Sequence, residues 1–472
     1  MARSGVIEPQ VELMPPAVRA GAGGVASSAL RSPALWMTAL VLFGLVLRLV
    51  WVLYVGSQPL GGDPSWYYNV ATNIARGHGF VADHHTLFDG EPIIRQPTAA
   101  WPPAYSYVLA AMWKVVGISV TSSKVLNAVL SGLTIPFVYL LARAIFGKPS
   151  GWLAAGVFCV FPNAIAWSSV LFPEELFTFV FVVALWILVD PGALRGARWR
   201  APLAFGLLAG VATLTRGEGA VLLPVAVLFW FARDGWRDSM RPIALAIAGS
   251  AVMIMPWTVR NMVVMHAAIP VSTNSGIALR IGHSPQSTGT TEIVNPPEPV
   301  DGVPVWEQAY YPDTEVRSYQ VYTKRSIRYA LTHPRRELDL SRYKIYHLYR
   351  SDAWLIEWVK LGTSTPIHSE PVENALWSLF DVSHYALMFA AVGSAVFWLR
   401  RDPKRLLLAY VILVWTLFHI VFSAEPRYHV PLFPIFAVAA AGGMCIAWDS
   451  MMRRVGGTVP QGYATARLPG SG

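Results

Sequence analysis

The 472-residue chain is 54% hydrophobic and only 14% charged, with 19 Trp and a formal net charge of +9. Soluble proteins carry about 25% charged residues, so this composition excludes a soluble globular domain and leaves a polytopic membrane protein. The basic balance does not signal nucleic acid, because Lys and Arg cluster between apolar runs, where they read as cytoplasmic anchors under the positive-inside rule.

Residues 1–33 mix Pro, Gly, Ala and Ser with scattered charge and are expected to form a disordered cytoplasmic tail. The first apolar run starts too late and is too long for a cleavable signal peptide. That run, Ala34–Tyr54, delivers the loop 55–122 to the outer side. The loop opens GGDPSWYYNVATNIARGHGF and closes IIRQPTAAWPPAYSY. Pro64 suits the first position of a helix, which makes Asp63 an N-cap. The same helix puts Tyr67, Val70, Ala71 and Ile74 on one face and stops at Gly77. An acid at the mouth of a membrane bundle is either a cap or a catalytic group. His84 and His85, with Asp83 and Asp89, fit surface residues better than a divalent metal site, which stays open as the one cofactor considered. Pro103–Val116 is apolar but short and is expected to lie in the interface.

Lys124–Ala142, Trp152–Ser168, Leu176–Val189, Leu203–Thr215, Ala220–Phe231 and Ile243–Val259 then alternate across the bilayer. They leave Arg143, Lys148, Arg195, Arg198, Arg200, Arg233, Arg237 and Arg241 on the cytoplasmic side. A hydrophilic segment, 261–381, follows outside, helical near Thr314–Tyr329 and Glu337–Val359; loops this long are seldom idle. Val382–Leu399, Leu407–Val421 and Val430–Trp448 complete about ten apolar spans. Residues 454–472 read as a second loose cytoplasmic tail. Cys159 and Cys445 fall inside apolar spans and are expected to be buried thiols, not a disulfide. The expected fold is thus an all-α bundle. Its membrane module, 34–260, includes the first external loop, the external segment is 261–381, and C-terminal membrane helices span 382–453.

Sorting polar groups by side gives a pattern. The outer span ends hold Asp63, Glu174, Glu175, Arg216, Glu218, Arg260, Glu425, Arg427 and His429. Ionisable groups at membrane depth are costly and default to a functional reading. Arginines suit a phosphate and a carboxylate suits an acceptor proton. The chain carries neither a G-x-x-x-x-G-K-[ST] motif nor a strand followed by G-x-G-x-x-G, so an activated substrate would arrive through the lipid phase. A polyprenyl phosphate sugar meets that need.

Asp63 with Tyr67 and Tyr68, the run Ala75-Arg76-Gly77, PTAAWPPAY, and the later PWTVRN and EPRYHVPLFP resemble GT-C membrane glycosyltransferases. The protein O-mannosyltransferase and aminoarabinose transferase groups are the nearest, and the resemblance covers about residues 34–448. It implies that Asp63 is the first-loop acid, although Pro64 stands where many relatives have a second acid. It also implies that Glu174 or Glu175 is a further acidic group and that Arg260 meets the donor phosphate. Arg427 joins the phosphate-binding candidates by location. Tyr67, Tyr68, Gln96, Asn261 and His429 are candidate substrate contacts. Arg216 and Glu218 fit a local pair across their turn, and Tyr67, Tyr68 and Trp101 also fit an interfacial aromatic belt.

The expected reaction is a single displacement at the anomeric carbon, with inversion, on the outer face of a bacterial inner membrane. The partners are a polyprenyl phosphate sugar, an envelope protein, glycan or lipid acceptor, and membrane lipid. A transporter or flippase for a lipid-linked or anionic solute is the alternative, disfavoured because the polar groups gather at one face and not at the bilayer midplane.

Overall fold

The computed structural model describes residues 32–57, 61–84, 94–290, 297–305, 307–361, 366–399 and 402–455. The expected tails, 1–31 and 456–472, lie outside these residues, as do His85 and Asp89.

Helix α1, Pro33–Val55, begins with Pro at its first turn. Leu42, Val46, Val50 and Leu53 face outward while Gly44, Arg48, Val52 and Val55 are buried. A helix with an apolar exposed face suits contact with lipid. Arg48 lies inside the bundle: its Nε donates to Ser131 Oγ at 2.8 Å and its Nη1 to the carbonyls of Gly44 and Cys159, each at 3.0 Å.

Helix α2, Gly62–Ala75, starts one residue before Asp63, and no side chain caps it. The N-cap expectation for Asp63 is therefore corrected. Gly62 takes φ +61°, a conformation open to glycine, and begins the helix. Asp63 sits in the first turn, where a carboxylate meets the positive end of the helix dipole. Strands β1, Val81–His84, and β2, Ile94–Pro97, then form an antiparallel pair with Ala82 opposite Gln96. Helix α3, Ala104–Val116, is 13 residues, about 20 Å, too short for a bilayer core.

Helix α4, Val120–Phe146, packs on α1, on α5, Lys148–Val160, and on α7, Glu174–Val189. Pro162 separates α5 from the short α6, Pro162–Trp167. Helix α8, Arg200–Thr215, lies against α9, Leu222–Val264, so closely that a Cβ on Gly206 would stand 2.2 Å from the Ala246 carbonyl oxygen. Gly235, at φ 76° and ψ 170°, breaks α9 into two arms.

The hydrophilic segment holds α10, Asn274–Gly282, α11, Pro312–Thr332, α12, Pro334–Tyr349, and α13, Leu355–Lys360. Helix α14 begins at Glu370, earlier than the span expected from Val382, and runs to Trp398. Then come α15, Pro403–Val421, and α16, Phe433–Arg454. In their most apolar windows the last span is 78% buried and α1 only 22%. α16 is therefore the central post of the bundle and α1 its outer stave.

Among the described residues, six helices are long and apolar enough to cross a membrane. The protein is an all-α multi-pass membrane protein.

Candidate functional site

The ends of α7, α8 and α15 and the turn Pro426–Leu432 meet the first loop, α10 and α11 around a cleft of about 330 Å³. Its walls include Asp63, Tyr67, Trp101, Glu174, Arg216, Glu218, His419, Arg427 and Tyr428. Two acid–arginine assemblies face it. Arg427 Nη1 lies 3.0 Å from Asp63 Oδ2, and its Nε lies 2.9 Å from Glu425 Oε2. Arg216 contacts Glu174 through Nη1, and its Nη2 lies 2.8 Å from Glu218 Oε1.

Tyr428 stands between the assemblies. Both guanidinium groups lie 5.4 Å from its ring centroid, within cation–π range, and the His419 ring stacks on it at 5.0 Å. Phe172 and Trp358 hold Arg427 at 4.9 and 5.2 Å from their centroids. The Asp63 side chain is 28% exposed and reachable, whereas that of Glu174 is 2% exposed. Glu174 Oε2 is buried without a hydrogen-bond partner among the described residues. Tyr67 is fully packed near both assemblies. Burial first, then the charges of Asp63 and Glu174, push its phenol well above the usual range, so it stays protonated.

One wall hangs on a buried carboxylate. Glu315 accepts from Ala99 N at 2.9 Å, Thr98 Oγ1 at 2.8 Å and Thr273 Oγ1 at 2.7 Å. The backbone amides of Thr273 and Asn274 also donate to the carbonyls of Ala99 and Ala100. These bonds tie the strand end before Trp101 to the start of α10, and both border the cleft. Burial pushes the Glu315 carboxyl up to about 7 despite the three hydrogen bonds.

The residues singled out by sequence thus separate. Asp63, Tyr67, Glu174 and Arg427 line the cleft, and Glu175, Tyr68, Gln96, Arg260, Asn261 and His429 do not. Glu175 is buried beside Arg48 and Ser131. Tyr68 meets the Trp113 ring edge-on at 5.0 Å. Gln96 sits in β2. Arg260 donates to the carbonyls of Thr98 and Phe80 at 2.8 and 2.9 Å and lies over Trp257. Asn261 Nδ2 closes a turn on Ile269 O at 2.9 Å. His429 is completely buried, with Nε2 3.0 Å from Asp352 Oδ1 and Nδ1 2.7 Å from Leu348 O.

Arg216 and Glu218 form the turn pair expected of them, and both line the cleft with the other residues grouped at the span ends. Sequence reasoning missed His419 and Tyr428. His419 lies in the last turn of α15, inside the apolar span expected over Leu407–Val421, and was passed over as part of that span. Among the described residues, no three His, Cys, Asp or Glu side chains are grouped as metal ligands. Asp83 pairs with Arg95 at 3.2 Å.

The fold is shared with the oligosaccharyltransferase of Archaeoglobus fulgidus: TM-score 0.51 at 16% identity, covering 89% of this chain and 50% of that one.

Residues 100–259 match the family model of dolichyl-phosphate-mannose-protein mannosyltransferases. The undecaprenyl phosphate-alpha-4-amino-4-deoxy-L-arabinose arabinosyl transferase of Pseudomonas aeruginosa is 28% identical over 236 residues, 47% of this chain and 39% of that protein. A like-named transferase of Pseudomonas fluorescens is 30% identical over 167 residues, 33% of this chain and 29% of that protein. The chain therefore matches well under half the length of these relatives. The resemblance read from its motifs stands on both the sequence match and the shared fold.

Proposed function

We propose that the protein is a membrane glycosyltransferase that moves a sugar from a polyprenyl phosphate donor to an acceptor hydroxyl. The relatives' names supply the donor class, arabinosyl or mannosyl transfer from a polyprenyl phosphate. The observation that carries the reading is the contact between Asp63 and Arg427, 364 residues apart in sequence, at a cleft whose far wall holds Arg216 and Glu174.

In this mechanism the donor phosphate enters beside Arg427 and Arg216 and competes with the carboxylates for their guanidinium groups. Arginine offers a planar fork matched to phosphate oxygens. The acceptor hydroxyl attacks the anomeric carbon on the face opposite the phosphate, and Asp63 takes its proton. The bond from carbon to phosphate oxygen breaks, and the arginines meet the charge that grows there. A single displacement inverts the anomeric centre. Phosphate leaves without needing a proton, so one carboxylate suffices where glycosidases use two. Arg260 is not assigned to the phosphate, because backbone carbonyls occupy its guanidinium.

The same reading gives the chain about ten spans, made by α1, α4, α5 with α6, α7, α8, the two arms of α9, α14, α15 and α16. Under the positive-inside rule Arg195, Arg198, Arg237 and Arg241 mark the cytoplasmic end, so the cleft faces outward. The acceptor is a hydroxyl of an envelope lipid, glycan or protein.

The test is transfer from a panel of radiolabelled polyprenyl phosphate sugars by purified protein and by Asp63→Asn, with donor binding measured separately. Loss of a positioned base is expected to lower transfer about 10²- to 10⁴-fold while donor binding survives. Equal transfer by both proteins would remove Asp63 from the mechanism. Donor movement across vesicles with no transfer would replace the enzyme with a transporter.

A further inference from the structure

A second cavity, of about 900 Å³, lies at the opposite end of the bundle from the cleft. Helix α7 runs from Glu174 at the cleft to Val189 beside this cavity, and α8 returns from Arg200 to Thr215. Each is 16 residues, which places the two sites about 24 Å apart along the bundle, near the thickness of a bilayer core. The cavity forms where the α7–α8 connection packs against the corner of α9 at Gly235.

Its chemistry is two-sided. Arg195, Arg198, Arg233, Arg237 and Arg241 line it against only Asp234 and Asp238; five positive charges less two negative leave a formal +3. Arg233 is taken by Asp234, with Nε 2.8 Å from Oδ1. Arg237 rests over Trp236 at 5.5 Å. Among the described residues, Arg195, Arg198 and Arg241 form no ion pair. The remaining wall is apolar, with Leu188, Leu194, Phe205, Trp230 and Leu245. Cytoplasmic anchors need only reach the headgroup region and do not need an apolar chamber beneath them. Basic pockets between membrane helices with such walls suit a lipid phosphate.

We infer that this cavity binds an anionic phospholipid of the adjoining leaflet. Its phosphodiester sits among Arg195, Arg198, Arg237 and Arg241, and its acyl chains lie against the apolar wall. The bound lipid pins the α7–α8 connection to the α9 corner. The site is independent of the chemistry proposed for the cleft.

The test uses the full-length protein, delipidated in neutral detergent and offered equal phosphatidylglycerol and phosphatidylcholine of matched chains. Native mass spectrometry reads which lipid is retained, and the unfolding temperature reads stabilisation. Phosphatidylglycerol is expected to be retained selectively and to raise the unfolding temperature. Each arginine changed to glutamine should weaken retention about five-fold, and the combined R195Q/R198Q/R237Q/R241Q change should abolish the selectivity. Equal retention of the two lipids by wild type would overturn the inference, whether or not that variant folds. Inorganic phosphate that matches the stabilisation and displaces the lipid would overturn it too, leaving a free-anion site.

Discussion

Two regions of the molecule place ionisable groups at the same depth and use them in opposite ways. In the cleft, Asp63, Arg427, Arg216 and Glu174 pair with one another yet border open volume. Two residues along the chain from Arg427, His429 is sealed together with Asp352. Asp352 accepts from Asn163 at 2.6 Å, His429 at 3.0 Å and Trp167 at 3.4 Å, all fully or nearly fully buried. Buried charge must be compensated in both places. Only the cleft leaves bonding capacity directed at a space a substrate can enter. Depth alone therefore does not mark a site; depth with unspent capacity does.

The strongest way to break this comparison is Asp352→Ala. Removing one partner of a buried pair leaves the other uncompensated and costs about 3–5 kcal/mol, so the unfolding temperature should fall sharply. A stable Asp352→Ala that had lost only transfer would move the sealed cluster into the site. The next test is Arg427→Lys. Lysine keeps the charge but cannot fork between Asp63, Glu425 and a phosphate. Transfer is expected to drop about 10²- to 10³-fold, the scale for losing a positioned donor to developing charge, with little change in unfolding temperature. Full transfer by the lysine variant would mean that Arg427 only balances charge.

The contrast also explains what the sequence could disclose. Helices were legible where an apolar run met a proline or glycine boundary, as at Pro33 and Gly77, but the single span expected over Trp152–Ser168 breaks at Pro162 into α5 and α6. The β1–β2 pair was not legible, since VADH and IRQP are too short for alternation to register. Proximity to a span end picked out Asp63, Glu174, Arg216, Glu218 and Arg427, which line the cleft. It picked out Arg260, Asn261 and His429 just as readily, because linear position gives height along the bundle and not azimuth around it. Glu174 and Glu175 are adjacent, yet a helical step of about 100° turns one to the cleft and the other toward Arg48. Asp352 and Glu315 carried no signal in a long hydrophilic segment where acids are ordinary.

Glu315 sharpens the comparison, since it is buried like Asp352 but pairs with hydroxyls and an amide, not with an imidazole. Its carboxyl is raised from 4.5 to about 7, so between those values the folded protein holds a proton that the unfolded chain has lost. Stability from this group is therefore full below about pH 4.5 and declines as pH rises through about 7. The swing is at most about 3 kcal/mol. Unfolding temperatures between pH 5 and 8 should fall more steeply for wild type than for Glu315→Gln, which has no proton to lose. Parallel profiles would show that Glu315 stays charged and that its three donors suffice.

The smallest expected effect bears on the residue where resemblance and geometry disagree. Resemblance assigns Arg260 to the donor phosphate, whereas its guanidinium joins the carbonyls of Thr98 and Phe80 and so braces the loop that carries Trp101. If bracing is its role, Arg260→Gln forfeits hydrogen bonds from a charged donor. The expected cost is about 1–3 kcal/mol of stability, seen as a modest fall in unfolding temperature, while donor affinity and transfer per folded molecule hold nearly constant. Collapsed donor binding at an unchanged unfolding temperature would return Arg260 to the phosphate. It would also mean that the loop opens when the donor arrives, because Thr98 and Phe80 must release the guanidinium before a phosphate can take it.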